Sequence, residues 1–303
     1  MNHVLTLVAA ETNGLTPSIV AEVSTALNAL VLKSSAAEAV APVWLEEGQA
    51  CDLLFDKVHL QAAVDITRNV INGAAIDFHV QHAADRRKKL LLADMDSTIV
   101  TAETLDELAA FAGLKDEIAA ITARAMNGEL NFEAAIKERV GMLTGLPKST
   151  LAAAYDDIEL SSGAECLVRT MSAHGARCVL VSGGFKFFSR RVAARCGFHM
   201  DFANDFIIED GKLTGRVVEP ILNKDSKLHT LHTQSVELGL QLSNTLAVGD
   251  GANDLPMIQA AGLGVAFHGK PVVAEAAPAR VDHGDLTVLL YYQGYQRHEF
   301  TIT

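Results

Sequence analysis

Four carboxylates in two short clusters carry the chemical signal of this chain. Asp94-Met95-Asp96-Ser97-Thr98 follows the apolar run Leu90-Leu91-Leu92-Ala93, and Gly249-Asp250-Gly251-Ala252-Asn253-Asp254 follows Leu246-Ala247-Val248. If the extended backbone of the first run persists through Asp96, side chains at i and i+2 point the same way, and the two carboxylates repel unless a cation lies between them. Asp250 and Asp254 would complete an oxygen-rich site. Such a set suits a hard divalent ion, magnesium best, because magnesium takes a few carboxylates and leaves room for water and a substrate phosphate. A third apolar run, residues 178–181, ends in Ser182-Gly183-Gly184. A hydroxyl and unhindered amides just before a helix make an anion cradle. Singly these features are ordinary, since an isolated Asp-x-Asp is more often a plain turn; their weight comes from standing at one edge.

That edge must be made by a sheet. The apolar runs at 90–93, 178–181, 246–248 and 263–267 suit strands buried on both faces, and helical segments separate them. The alternation predicts an α/β fold, a doubly wound, Rossmann-like parallel sheet, which presents its ligand crevice at the carboxyl ends of its strands. An almost wholly helical insertion at about residues 102–160 is too long for a crossover loop and reads as a cap over that crevice. Residues 206–213 alternate around Asp210-Gly211, a hairpin signal. Ahead of the sheet, strand-like residues 4–10, a helix at 16–30, mixed strand and turn at 43–55, a helix at 58–72 and a strand at 75–81 predict a small α+β module. The boundary is set near Ala84, giving domains 1–84 and 85–303, with Asp85-Arg86-Arg87-Lys88-Lys89 as a solvated linker.

In order along the chain, Asp94-x-Asp96-Ser97-Thr98, Ser182-Gly183-Gly184, Lys227 and Gly249-Asp250-Gly251-x-Asn253-Asp254 resemble the four motifs of the haloacid dehalogenase superfamily of phosphatases. Within the insertion, Glu103, Met126 and Leu130-Asn131-Phe132-Glu133 leading to Arg139-Val140 are similar to the phosphoserine phosphatases of that superfamily. The resemblance covers roughly residues 85–290. It implies Asp94 as nucleophile, forming an aspartyl-phosphate, and Asp96 as the acid and then the base. It implies Mg2+ held by the Asp94 and Asp250 carboxylates and the Asp96 backbone carbonyl, with Lys227, Ser182, the Gly183 amide and Asn253 on the phosphoryl oxygens. Asp254 would anchor Lys227 or metal-bound water. Lys227 is preferred to Lys224 because residues 228–231 continue the family's helix pattern. In the cap, Arg139 would clasp a substrate carboxylate, Glu103 would accept an amino group, and Met126 with Phe132 would exclude water.

The implied activity is hydrolysis of O-phospho-L-serine, the last step of serine biosynthesis. Rival readings are a phosphatase or phosphotransferase for another small phosphate monoester, and an amino-acid sensor working through the N-terminal module. That module resembles a degenerate ACT-like domain, although Asn13-Gly14-Leu15-Thr16 lacks the proline usual before the glycine of that family's turn. Effector binding and a scaffold for a homodimer both stay open for it. A net charge of −12, from 37 acidic and 25 basic residues, repels nucleic acid and anionic membranes. The four cysteines form no Cys-x-x-Cys pair and read as reduced thiols of a cytoplasmic protein. No stretch offers the roughly 18 apolar residues of a membrane span.

Overall fold

The computed structural model describes residues 2–31, 41–126 and 130–301. From the amino end, β1 (His3–Ala9), α1 (Pro17–Val31), β2 (Pro42–Glu46), β3 (Ala50–Phe55), α2 (Leu60–Ile71) and β4 (Ile76–His82) form an antiparallel sheet in the order β2-β3-β1-β4. Leu5, Leu7 and Ala9 of β1 pack with Val20, Val23 and Leu27 of α1 and Ala63 of α2, while Val8 points the other way and joins the main core. Both faces of β1 are therefore covered.

The main core begins with β5 (Leu90–Ala93), followed by α3 (Thr104–Phe111), α4 (Lys115–Met126), α5 (Phe132–Met142) and α6 (Ser149–Asp156). These four helices are the insertion expected from the sequence. The chain then runs through α7 (Ala164–Ala173), β6 (Arg177–Phe185), α8 (Lys186–Cys196), β7 (Met200–Asn204), β8 (Phe206–Glu209), β9 (Lys212–Val217), α9 (Lys224–Glu237), β10 (Thr245–Gly249), α10 (Leu255–Ala260), β11 (Leu263–Phe267), α11 (Pro271–Ala276), β12 (Ala279–Val281) and α12 (Val288–Tyr292). Its parallel sheet has the order β12-β11-β10-β5-β6-β7. The apolar runs are continuous because each strand feeds two cores. Leu90 and Leu92 pack with Leu231 of α9 and Met257 of α10, whereas Leu91 and Ala93 pack with Leu167 of α7 and Phe188 of α8.

The hairpin β8–β9 turns at Asp210 and Gly211, both with positive φ (48° and 71°), the signature that its Asp-Gly pair predicts. It buttresses the cap: Gly145 N–H donates to Leu213 O at 2.8 Å, and Lys148 N–H to Gly211 O at 2.8 Å. The N-terminal sheet is fastened to the core by polar contacts. Buried Asp77 of β4 accepts N–H bonds from Asp282 (2.7 Å), His283 (3.2 Å) and Gly284 (2.7 Å), and Arg86 pairs with buried Asp52 at 2.5 Å. Tyr291 of α12 donates to Glu46 of β2. The linker expected to be solvated is thus partly absorbed, because Arg86 has a buried carboxylate to meet. Among the described residues, no helix is long and apolar enough to cross a membrane.

Candidate active site

β5 delivers Asp94 directly beside β10, where its N–H donates to Val248 O at 3.0 Å. The strand ends there. Asp94 Oδ1 accepts the Met95 N–H at 2.8 Å, Ser97 takes a left-handed conformation at φ 55°, and Val100 N–H closes the turn on Met95 O. The sequence expectation of an extended strand through Asp96 is therefore corrected. Asp96 is turned to different partners: Oδ1 accepts the Thr104 N–H at the start of α3 (2.8 Å), and Oδ2 accepts the Ser182 hydroxyl (2.9 Å). The carboxylates that gather within 4.8 Å of one another are Asp94, Asp250 and Asp254, all buried, so the expected cluster of four is a cluster of three without the Asp96 carboxylate.

Lys227 sits in the first turn of α9, a helix opened by a reciprocal cap between Asn223 and Ser226. Its Nζ lies 2.7 Å from Asp94 Oδ1 and 2.6 Å from Asp254 Oδ1, while Asp254 Oδ2 accepts the Gly251 N–H at 3.0 Å. Gly249 permits this closeness, since a Cβ there would stand 2.3 Å from Asp254 Cγ. The side chain of Lys224 lies outside the described residues. Burial pushes the Asp94 carboxyl well above the usual range, Asp254 adds to the push, and Lys227 opposes it. Burial alone would lower Lys227, but Asp254 and Asp94 outweigh it and keep the ammonium protonated. Asp250 is also raised by burial, with Lys270 opposing from 3.3 Å.

On the anion side, Ser182 Oγ accepts the Gly184 N–H at 2.8 Å, and Asn204 donates to Gly183 O at 2.8 Å. Above it, the ring of Phe132, first residue of α5, comes so near that a Cβ on Gly183 would lie 3.0 Å from its Cζ. A cavity of about 370 Å³ separates strand edge and cap. Asp94, Asp96, Glu103, Phe132, Arg139, Gly183, Asp250 and Asn253 line it. Ser182, Lys227 and Asp254 are buried behind those residues. Met126 ends α4, and its side chain lies outside the described residues. A larger groove of about 540 Å³, lined by Gln49, Ser162 and His283 among others, includes none of the clustered carboxylates.

Glu103 is pushed up to about 7, first by burial and then by Asp96, while a hydrogen bond from Ser97 (2.9 Å) opposes the shift. Arg139 is lowered by burial, with Asp106 and Glu103 opposing, and a guanidinium stays charged regardless. It donates to Thr122 Oγ1 at 3.0 Å and Ala135 O at 3.3 Å, not to Glu133 or Glu138. Buried carboxylates held above their ordinary range, with hard oxygen donors converging, fit a divalent cation between Asp94 and Asp250.

Three residues at or beside the cavity escape a reading of the sequence. Lys270 follows β11, so the same strand-end rule that singles out Asp94 points to it. Asn204 ends β7, and Thr122 sits mid-helix in α4, where a threonine gives no signal.

Residues 91–259 match the haloacid dehalogenase-like hydrolase family. The phosphoserine phosphatase of Streptococcus thermophilus is 46% identical over 199 residues, 66% of this chain and 93% of that protein. That of Archaeoglobus fulgidus is 42% identical over 205 residues, 68% of this chain and 60% of that protein. Phosphoserine phosphatase SerB2 of Mycobacterium tuberculosis is 41% identical over 76% of this chain, which spans 58% of that protein. The chain thus spans somewhat under two thirds of two of these three relatives. Among solved structures, a hydrolase of the same family from Salmonella enterica serovar Typhi superposes with a TM-score of 0.81 at 29% identity, over 96% of this chain and 97% of that one. A substrate-bound phosphoserine phosphatase complex superposes with a TM-score of 0.65 at 39% identity, over 68% of this chain and 98% of that one. Strand-edge carboxylates, a lysine between two of them and a helical cap, on a stretch matching the family and making up more than half of the chain, lead to one conclusion: the chain belongs to the haloacid dehalogenase-like hydrolases.

Proposed function

We propose that this protein is a magnesium-dependent phosphoserine phosphatase that hydrolyses O-phospho-L-serine to L-serine and phosphate. The observation that carries the reading is that the cap's Glu103 and Arg139 face the same cavity as the strand-edge Asp94 and Asp250. The names of the relatives support it. A phosphate monoester and an amino acid head group call for these two opposed sets of charges.

In this reading an Asp94 oxygen attacks phosphorus, the bond from phosphorus to the serine oxygen breaks, and protonated Asp96 gives that oxygen its proton. Water then attacks the aspartyl-phosphate, Asp96 takes the water's proton, and phosphate leaves with Asp94 regenerated. Ser182 and the Gly183 amide orient the phosphoryl oxygens together with Asn253, and Lys227 supplies positive charge beside the nucleophile while Asp254 holds Lys227 in line. Asp94, Asp250 and the Asp96 backbone would hold Mg2+, which when bound offsets the repulsion between a carboxylate nucleophile and a phosphate dianion. Arg139 takes the substrate carboxylate and Glu103 its ammonium, while Phe132 and Met126 keep water out.

Phosphate release from O-phospho-L-serine, O-phospho-L-threonine and phosphocholine, with Mg2+ and after chelation, tests the proposal. Phosphoserine should be preferred and chelation should stop turnover. Preference for phosphocholine would contradict the roles of Arg139 and Glu103, and the protein would then be a phosphatase for another small ester.

A further inference from the structure

The guanidinium of Arg139 is held before any ligand arrives, and what holds it is a threonine on the neighbouring helix. Thr122 of α4 is 9% exposed and lines the cavity. Its hydroxyl donates to Ile118 O at 3.1 Å, one turn back on its own helix. A hydroxyl has a single proton, and with that proton on Ile118 the oxygen can only accept from Arg139. Arg139 Nη1 makes that bond at 3.0 Å, and Nε donates to Ala135 O at 3.3 Å. Among the described residues Arg139 hydrogen-bonds to these two neutral acceptors and to no carboxylate, although Asp106 and Glu103 act on its charge from farther off, so a mostly buried cation keeps N–H groups to offer a ligand. Both acceptors are uncharged and fix the plane of the guanidinium, while the carboxylates that support its charge make no hydrogen bond to it. That is an arrangement for receiving an anion.

We infer that Thr122 is a positioning residue for substrate selection: it sets the orientation of Arg139 so that the fork meets the carboxylate of the substrate's amino acid group. The inference rests on the phosphoserine reading and deepens it. A free arginine side chain must lose rotamer freedom on binding, and Thr122 makes that ordering part of the folded state instead. The consequence falls on ground-state capture of the carboxylate, remote from phosphorus, so KM should respond more than kcat.

O-Phosphoethanolamine differs from O-phospho-L-serine by the carboxylate alone, which makes the ratio of kcat/KM for the two substrates the direct readout. Thr122→Val keeps the branched shape and removes the acceptor; it should raise KM for phosphoserine about tenfold, leave kcat within about twofold, and lower the ratio correspondingly. Phosphoethanolamine kinetics should not change. Thr122→Ser restores the hydroxyl and should restore the ratio. Thr122→Ala, read by the same ratio, serves if valine perturbs folding. A wild-type preference for phosphoserine that survives unchanged in both Thr122→Val and Thr122→Ala overturns the inference alone. A wild-type protein with no such preference overturns the phosphoserine reading and the inference with it.

Discussion

At the scale of single residues, the site holds like charges together and offsets them with a lysine and a place for a cation. Asp94, Asp250 and Asp254 are buried together, and Lys227 bridges two of them. Glu103 stands apart from this cluster, bonded to Ser97, and titrates near neutrality because burial and Asp96 both resist its ionisation. As pH falls through about 7, Glu103 gains a proton and ceases to attract an ammonium group. In the proposed reaction, kcat/KM for phosphoserine should therefore decline on the acid side of neutrality. Glu103→Gln, neutral at every pH, should be slower at pH 8 and lack that limb; a pH–rate profile that keeps the limb in Glu103→Gln would assign it elsewhere. The stability effect has the opposite sign. A carboxyl whose folded pKa is raised binds its proton more tightly in the folded state, so acidification from pH 7 toward the ordinary glutamate range favours folding at this residue.

At the scale of elements, the carboxylates proposed for catalysis stand at strand ends and the groups proposed for selection on the cap, and the two meet where Phe132 overlies Gly183. A methyl on Gly183 would lie 3.0 Å from the Phe132 ring, tighter than packed carbon atoms normally sit, and the ring would have to give by a few tenths of an ångström. Since Gly183, Phe132 and Arg139 line one cavity, that crowding should cost Gly183→Ala about tenfold in kcat/KM for phosphoserine, with little change in thermal stability. Steady-state kinetics beside a thermal melt checks this, and near-normal kinetics would show that the cap yields freely. How much of this was legible in sequence depended on burial. The runs at 90–93 and 263–267 reappear as strands of the same extent, because a strand apolar on both faces is a signal in itself. β7 and β12 gave none: each is an edge strand, half-exposed or only three residues long, with polar residues interleaved. The turn after Ala93 departs from the expected extended strand because left-handed Ser97 has no glycine to announce it. Thr122 was invisible because its role exists only across two helices.

At the scale of the whole molecule, the N-terminal sheet is fastened to the hydrolase core by buried polar contacts. Asp77 satisfies three consecutive backbone N–H groups after β12, and Tyr291 and Arg297 meet Glu46. Asp77→Ala would leave the buried Gly284 N–H, and the partly buried Asp282 N–H beside it, without that acceptor and should destabilise the protein by about 2 kcal/mol, read as a lowered midpoint in urea unfolding. KM for phosphoserine should stay within about twofold, because the cavity lies on other elements. A variant that lost activity while keeping its unfolding midpoint would instead tie this contact to catalysis.

The covalent role of Asp94 is tested most directly by capturing the phosphorylated protein. An acyl phosphate is reduced by borohydride to an alcohol whereas a free carboxylate is not, so quenching turnover of phosphoserine, reducing and sequencing by mass spectrometry should find homoserine at position 94, and nothing at that position in Asp94→Asn. Homoserine at position 96 or 250, or turnover that leaves every carboxylate unreduced, would contradict the account.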